Sequence, residues 1–277
     1  MKPELFIGVC CTLTDFTENK INIKKSLDNL ANAFNHNCYV LIVIQSKNIP
    51  IINFTSEKYN IEIIHDIKLN VSNARNICIE KALDYNIKYV LFHDASIYWT
   101  KNAANFINVN KGLTPKVNVK FSDRPMREDT IEDMHSKTGK INPIYHPFIW
   151  SYLFNKEDIS ELRFNINFGP GENTNFKSGE DVLFLFEFFK KNKNTQIIMP
   201  KDNIYVYHPP REDNYSKHLL YAKGQGQMFK ILIKKYPSIQ IYFDLFLFFG
   251  NGVYRLLLCK KNSTKILFKR IYGFFKR

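Results

Sequence analysis

The sequence is poor in cysteine, and its cysteines follow no pattern that would hold a metal or a disulfide framework. There are five in 277 residues, an odd number without C-x-x-C spacing: Cys10, Cys11, Cys38, Cys78 and Cys259. Zinc modules and disulfide-stapled secreted domains are therefore not indicated. No long apolar h-region with a small-residue cleavage site follows Met1, so no signal peptide is expected. The predicted location is the cytoplasm.

Two glycine motifs that bind nucleotides in other folds are missing. No G-x-G-x-x-G turn follows the first apolar run, and no G-K-[S/T] ending occurs. Dinucleotide-binding enzymes and P-loop NTPases are therefore disfavoured. The Gly-rich basic loop that is usual in nucleotidyltransferases is absent after Cys11. That class stays an alternative, because it too binds nucleotides at strand ends.

Acidic residues are missing from the end of the sequence. Residues 260–277 hold seven basic residues interleaved with apolar ones: Lys260, Lys261, Lys265, Lys269, Arg270, Lys276 and Arg277. The net charge of +13 suits nucleic acid, an anionic membrane or phosphorylated small molecules. Because no nucleic-acid-binding motif accompanies the charge, we expect no nucleic-acid partner. We interpret the tail as a peripheral helix on the inner membrane surface.

Apolar runs alternate with helical periodicity in the first hundred residues. Strand-like runs lie at 5–11, 39–44, 61–64 and 89–92. Between them, apolar residues recur at helical spacing: Leu27, Leu30, Ala31 and Phe34, then Ala74, Ile77, Cys78 and Ala82. This alternation predicts an α/β fold with a central, mostly parallel sheet. Its ligand site should lie at the carboxyl ends of the strands.

The rest of the sequence divides into segments of different character. Residues 97–150 are interrupted by glycine and proline, and we interpret them as a variable, partly looped segment. Strands are expected at 146–154 and 162–168. We predict one domain over 1–225 and an amphipathic, basic helical extension over 226–277. A charge at the bilayer centre costs roughly 2.5–3.5 kcal/mol, so Asp244 and Arg255 favour surface helices over a span; packing on the core is the alternative.

Two acidic stations are the most informative features. The first is residues 93–96, His-Asp-Ala-Ser, at the end of an apolar run; the second is residues 178–181, Ser-Gly-Glu-Asp. Apolar residues at i, i+3, i+4 and i+7 after the second station predict that a helix starts there: Val182, Leu185, Phe186 and Phe189. Acids in a first helical turn also stabilise the helix end, so capping by Glu180 and Asp181 is the structural alternative.

Six segments follow one another in the sequence: Thr12-Leu13-Thr14, Gln45-Ser46, NVSNARN at 70–76, LFHDAS at 91–96, FGPG at 168–171 and Gly179-Glu180-Asp181. This ordered set resembles a family 2 glycosyltransferase of the GT-A fold, of the bacterial surface-polysaccharide type. The resemblance covers roughly residues 4–225. The implied fold is a Rossmann-like nucleotide-sugar-binding domain.

The resemblance also implies an activity, the inverting transfer of a hexose or N-acetylhexosamine from a UDP-sugar. Asp181 is then the general base, Glu180 contacts the acceptor or orients the loop, and residues 97–150 lie on the acceptor side. The residues implied in donor binding are Thr12, Thr14, Gln45, Arg75 and Asp94. The implied acceptor is a hydroxyl of a growing, lipid-linked surface glycan such as capsule or lipopolysaccharide, at the cytoplasmic face of the inner membrane.

A divalent cation, Mg²⁺ or Mn²⁺, is implied in the same way, with Asp94, Ser96 and His208 as its ligands. Ser96 stands where the family has a metal-binding aspartate, and a hydroxyl is a weaker, neutral ligand for a hard cation. A catalytically weak or dead domain that binds nucleotide sugars or acts as a scaffold is therefore an alternative. Two further alternatives are that His208 serves only in a turn and that Arg75 is solvated.

Overall fold

The computed structural model describes residues 3–49, 51–126, 128, 131, 134–172, 174–201, 203–210 and 215–276. Met1 and Arg277, both used above, lie outside these ranges. The strands are β1 (Leu5–Thr12), β2 (Cys38–Gln45), β3 (Asn60–Asp66), β4 (Tyr89–Asp94), β5 (Tyr98–Trp99), β6 (Thr114–Pro115), β7 (Asn118–Phe121), β8 (Ser136–Gly139), β9 (Leu153–Asn155), β10 (Ile197–Pro200) and β11 (Tyr205–His208). The helices are α1 (Leu13–Ala33), α2 (Val71–Asp84), α3 (Lys101–Val109), α4 (Lys156–Ile159), α5 (Glu180–Lys191), α6 (Tyr215–Lys235), α7 (Ile239–Leu257) and α8 (Ser263–Phe275), with a 3-10 turn at Ile149–Ser151.

The central sheet has five strands in the order β3-β2-β1-β4-β9. The first four are parallel to one another, and β9 runs antiparallel to β4. All four predicted runs are strands, and β1, β2 and β4 are buried for nearly their whole length. Such burial is expected of parallel strands covered on both faces. The predicted α/β fold with a mostly parallel sheet is confirmed.

The strand predicted at 162–168 is wrong. This segment is irregular, and polar side chains of α2 and the residue before it hold its backbone. Asn76 Nδ2 donates to Phe164 O at 2.9 Å, and Ser72 Oγ donates to Phe168 O at 2.8 Å. Asn70 Nδ2 likewise donates to Ile166 O at 2.8 Å. These bonds satisfy the backbone groups that a sheet ladder would otherwise pair. The run predicted at 146–154 contains only the 3-10 turn and the start of β9.

Residues 97–150 are more regular than the sequence suggested. They contain α3 and four short strands, which join later strands in two small sheets, β6-β10-β8 and β5-β11-β7. Strands of two to four residues are too short to show a periodicity. The second small sheet matters for the site, because it brings β11 and its terminal His208 beside β5, which follows the first acidic station.

Three helices, α6 to α8, form the C-terminal part. None of the helices in the described ranges combines the length and apolarity needed to cross a membrane. Helix α6 runs through residue 225 without a break. The domain boundary between residues 225 and 226 stays a prediction. Helices α6 and α8 approach closely: a Cβ on Gly226 would lie 2.0 Å from Arg270 O, and one on Gly273 would lie 2.1 Å from Lys223 O.

We expect Gly273→Ala to destabilise the protein by about 1–3 kcal/mol, because the added methyl forces the two helix backbones apart. Gly250→Ala is the matched control, since it too replaces a helical glycine but places its Cβ in open space. Alanine is the better helix former by up to about 1 kcal/mol, so this variant should be as stable as wild type or more so. Urea unfolding of both variants measures the difference, and equal midpoints would contradict the close packing of α6 on α8.

Candidate active site

The polar ends of the parallel strands line one edge of the sheet. The register places Thr12 opposite Gln45, and Gln45 opposite Asp66. On the other side of β1, Cys10 lies opposite Asp94, the last residue of β4. After Asp94 the chain turns sharply, and Ile97 N donates to Asp94 O at 3.2 Å. This edge is the expected position of a ligand site in an α/β sheet.

Arg75 joins the two acidic stations. Its side chain is 3% exposed, and Nη2 lies 3.1 Å from Asp94 Oδ1. Nη1 donates to Asp181 Oδ1, and the Glu180 carboxylate lies 4.0 Å from the same nitrogen. The guanidinium also lies over the ring of Phe164, 5.3 Å from its centroid. Arg75 is therefore buried rather than solvated, and its ion pairs link two acidic segments that are distant in sequence.

Backbone conformation explains how the second station reaches Arg75. Gly179 caps α5 with φ +106°, a left-handed conformation that favours glycine. Gly169 adopts φ +99°, and a Cβ there would lie 2.8 Å from Val71 Cγ1. The Gly-Pro-Gly turn thus packs against the start of α2, with Val71 N donating to Pro170 O at 3.0 Å. The turn brings the first residues of α5 beside the helix that carries Arg75.

The three carboxylates outnumber the one guanidinium, and burial raises the pKa of two of them, Asp181 and Glu180. Burial raises the pKa of Asp181 above its ordinary value and the Asp94 charge raises it further, while Arg75 opposes both. Burial and the Asp181 charge raise the pKa of Glu180 still more. Glu180 Oε2 has no hydrogen-bond partner within the described residues. In such a site one carboxylate tends to keep its proton. Asp181 is then able to take up and release a proton near neutral pH.

The structure brings two predicted metal ligands, Ser96 and His208, into contact. His208 Nδ1 lies 2.8 Å from Pro209 O, and a carbonyl can only accept, so this nitrogen carries the proton. The lone pair is then on Nε2, which lies 3.4 Å from Ser96 Oγ. The ring is stacked on Trp150, and Phe121 packs at 5.2 Å. A proton fixed on Nδ1 by a carbonyl is typical of metal-binding histidines.

The donor set fits a divalent ion only in part. In the part of the chain that the structure describes, no group of three or more His, Cys, Asp and Glu is placed to hold a metal. Asp94, Ser96 and His208 supply one carboxylate, one hydroxyl and one imidazole. The remaining ligands would have to be water or substrate oxygens. The imidazole favours Mn²⁺ over Mg²⁺, whose ligands are almost always oxygens.

Three of the residues implied in donor binding, Thr12, Thr14 and Gln45, lie at the sheet edge, where Thr12 and Gln45 bond to backbone groups. Thr12 Oγ1 accepts from Asp15 N at 3.1 Å and caps α1, and Thr14 is exposed in its first turn. Gln45 is 5% exposed, and its Nε2 donates to Asn70 O at 2.8 Å. Gln45 therefore holds the loop that leads into α2.

Sequence reasoning missed Asp66, which ends β3 beside Gln45. Asp66 Oδ2 accepts from Asn73 Nδ2 at 2.8 Å, and Oδ1 accepts from Lys68 N at 2.9 Å. The signal was the one that identified Asp94, a carboxylate that closes an apolar run. It was overlooked because Glu62 interrupts the short apolar run that ends at Ile64.

The glycines in residues 223–226 let the helix that contains them pack closely on its neighbours. The segment lies inside α6, where a Cβ on Gly224 would come 2.5 Å from Ser178 O. Ser178 Oγ donates to Tyr221 O at 2.9 Å. Helix α6 therefore supports the segment that leads into Glu180 and Asp181 at the start of α5.

Comparison with known proteins gives a fold but no family. No family model matches the chain, and no curated protein matches it. The crystal structure of S. aureus TarS 1-349 in complex with UDP-GlcNAc is similar at a TM-score of 0.52 and 16% identity. That match covers 83% of this chain and 66% of the TarS chain, so the chain spans slightly less than two thirds of its neighbour. The GT-A fold class is confirmed.

A second TarS structure, in complex with UDP, is similar at a TM-score of 0.49 and 18% identity, over 83% of this chain and 70% of that chain. At these identities the likeness concerns the fold. What the site does has to be argued from its residues.

Proposed function

We propose that this chain is an inverting glycosyltransferase that moves a hexose or N-acetylhexosamine from a UDP-sugar to an acceptor hydroxyl. The observation that carries the proposal is Arg75, which joins the carboxylate at the end of β4 to the carboxylate at the start of α5. A transfer needs both, one beside the leaving diphosphate and one beside the attacking hydroxyl. The similar TarS structure was solved with UDP-GlcNAc, which supports a UDP-sugar as the donor.

Asp181 is the general base of this reaction. As the acceptor oxygen forms a bond to the anomeric carbon, its proton passes to an Asp181 carboxylate oxygen. The bond from that carbon to the diphosphate breaks on the opposite face, and its electron pair leaves with UDP. An elevated pKa suits the task, because a base whose pKa is nearer the working pH takes a proton more readily.

Arg75 positions this base rather than binding substrate. Its guanidinium is buried and shared between Asp94 and Asp181, so we revise its role from a diphosphate ligand to a bridge. The bridge keeps the Asp181 carboxylate at the sheet edge while Asp94 remains 31% exposed towards solvent. Glu180 supports the same loop, and Thr12, Thr14 and Gln45 shape the uridine side of the edge.

Asp94, Ser96 and His208 are the residues that would hold Mg²⁺ or Mn²⁺, with the unprotonated Nε2 of His208 as the nitrogen ligand. A bound ion would neutralise the charge that develops on the leaving diphosphate. The acceptor in this proposal is a growing, lipid-linked surface glycan at the cytoplasmic face of the membrane, and residues 97–150 select it.

A panel of nucleotide sugars tests the proposal. The purified chain is incubated with each sugar in the presence of Mn²⁺ or EDTA, and mass spectrometry follows release of the nucleotide. We expect slow hydrolysis of a UDP-sugar that is faster with Mn²⁺ than with EDTA. If the chain binds UDP but neither hydrolyses nor transfers the sugar, it is a nucleotide-sugar-binding module. If calorimetry detects no UDP binding, the chain is not a UDP-sugar-dependent glycosyltransferase.

A further inference from the structure

Helix α7 turns its one acidic residue inward. Asp244 is 2% exposed, and it accepts from Asn142 Nδ2 at 2.7 Å and from Tyr145 Oη at 2.9 Å. Ile241 and Gly252 share this inner side. A surface helix of a globular protein normally buries its apolar stripe and exposes its polar one. Asp244, the acid that disfavours a bilayer span, therefore attaches α7 to the rest of the protein.

The outward side of α7 is apolar over its full length. Exposed positions recur every three or four residues, at Ile239, Tyr242, Phe246, Gly250, Val253 and Leu257, and the exposed Tyr254 lies beside Val253. Phe246 is 71% exposed and Leu257 is 75% exposed. A groove of about 670 Å³ runs along this side where Gly250 interrupts the larger side chains. At 1.5 Å per residue the stripe is about 27 Å long, and an apolar surface of this extent marks an interaction site.

Helix α8 adds lysines to the same kind of surface. Phe268 is 68% exposed and Phe275 is 72% exposed. Lys265 and Lys269 are exposed as well, and they lie four residues apart on the same face of the helix. Aromatic rings and lysines that share one exposed helix face are typical of segments that lie in a lipid headgroup region.

The distribution of charge identifies the partner. Residues 215–277 contain thirteen of the 39 lysines and arginines but only one of the 26 acids, Asp244, which gives 13 − 1 = +12. The preceding 214 residues hold the other 26 basic and 25 acidic residues, a balance of +1. Nearly all of the net charge of +13 thus belongs to α6, α7, α8 and the residues that join them. A second copy would bring the same charge to this surface and be repelled, whereas anionic lipid would be attracted.

We propose that the outward side of α7 and the exposed face of α8 rest on an anionic lipid bilayer. The apolar side chains of α7 enter the boundary between headgroups and acyl chains, and the lysines that follow α7 and line α8 pair with headgroup phosphates. The inference needs no assumption about the reaction.

Vesicle flotation with the whole chain tests this surface. We expect wild type to float with equimolar phosphatidylcholine–phosphatidylglycerol vesicles and to stay unbound with phosphatidylcholine alone. Phe246→Gln combined with Leu257→Gln should weaken binding to the mixed vesicles by about tenfold or more, because two exposed anchors are lost. Lys261→Glu should weaken it by roughly fivefold.

Matched controls lie on α1, away from this surface. Ile21→Gln replaces a 71% exposed apolar residue, and Lys25→Glu reverses an exposed charge; neither should change flotation. Equal binding to both kinds of vesicle, no binding to either, or loss of binding in the controls would overturn the proposal. So would a dimer in sedimentation that dissociates in the Phe246→Gln, Leu257→Gln variant. Hydrolysis of UDP-sugar in lipid-free solution should be unchanged in that variant, which separates this test from the proposed reaction.

Discussion

Replacing Asp181 with asparagine should lower the turnover of a UDP-sugar by about 10²- to 10⁴-fold, the usual contribution of a general base. Asparagine has nearly the same shape and can still accept a hydrogen bond from Arg75, but it cannot take the acceptor proton. The donor KM should change little, because the substitution leaves the Asp94 side of the site intact. The measurement is the steady-state release of UDP in the presence of Mn²⁺.

The pH profile provides the second readout for Asp181. Its pKa is raised to about 6, chiefly by burial, whereas an ordinary aspartate has a pKa near 4. A base must be deprotonated to act, so wild-type kcat/KM should be constant above this value and fall as the pH drops through it. The asparagine variant should lack this limb in its residual activity.

Asp84→Asn is the matched control, because Asp84 is exposed at the end of α2, the helix that carries Arg75. We expect this variant to retain wild-type activity and pH dependence. An Asp181→Asn enzyme as fast as wild type would remove Asp181 from the chemistry and leave helix capping as its role.

Replacing Arg75 with methionine should cost about 3–5 kcal/mol of folding free energy, the usual result of removing one partner from a buried ion pair. Asp94, Glu180 and Asp181 would then share a confined space without a counter-charge. Because their protonation relieves the repulsion, the loss of stability should be greatest at alkaline pH and shrink as the pH falls. Urea unfolding across a pH series measures both effects.

Arg75→Lys and Arg163→Met complete this experiment. Lysine keeps the charge but is a point donor that cannot span two carboxylates in fixed geometry, so stability should recover in part while UDP-sugar turnover stays low. Arg163 pairs with Glu80 at 3.6 Å with both side chains well exposed, and its loss should cost less than about 1 kcal/mol. If Arg75→Met and Arg163→Met lose the same free energy of unfolding, Arg75 is not the electrostatic centre of the site.

The sequence by itself determined the framework of the protein and the sheet edge where its candidate site lies. The runs that became β1, β2 and β4 are apolar because these parallel strands are buried for nearly their whole length, and each of the four parallel strands ends in a polar residue at the sheet edge. The apolar spacing after Asp181 likewise predicted the start of α5. These features are local, since they depend on a few neighbouring residues and on the period of one element.

Only the tertiary structure decided which groups meet. Arg75 bridges Asp94 and Asp181, Gln45 turns to the backbone, and Asp244 is buried under an apolar helix face. The segment at 162–168 looked like a strand until the side chains of α2 were seen to hold its backbone. Each of these outcomes depends on residues far apart in sequence, whose proximity follows from how the elements pack, and no periodicity within one segment carries that information.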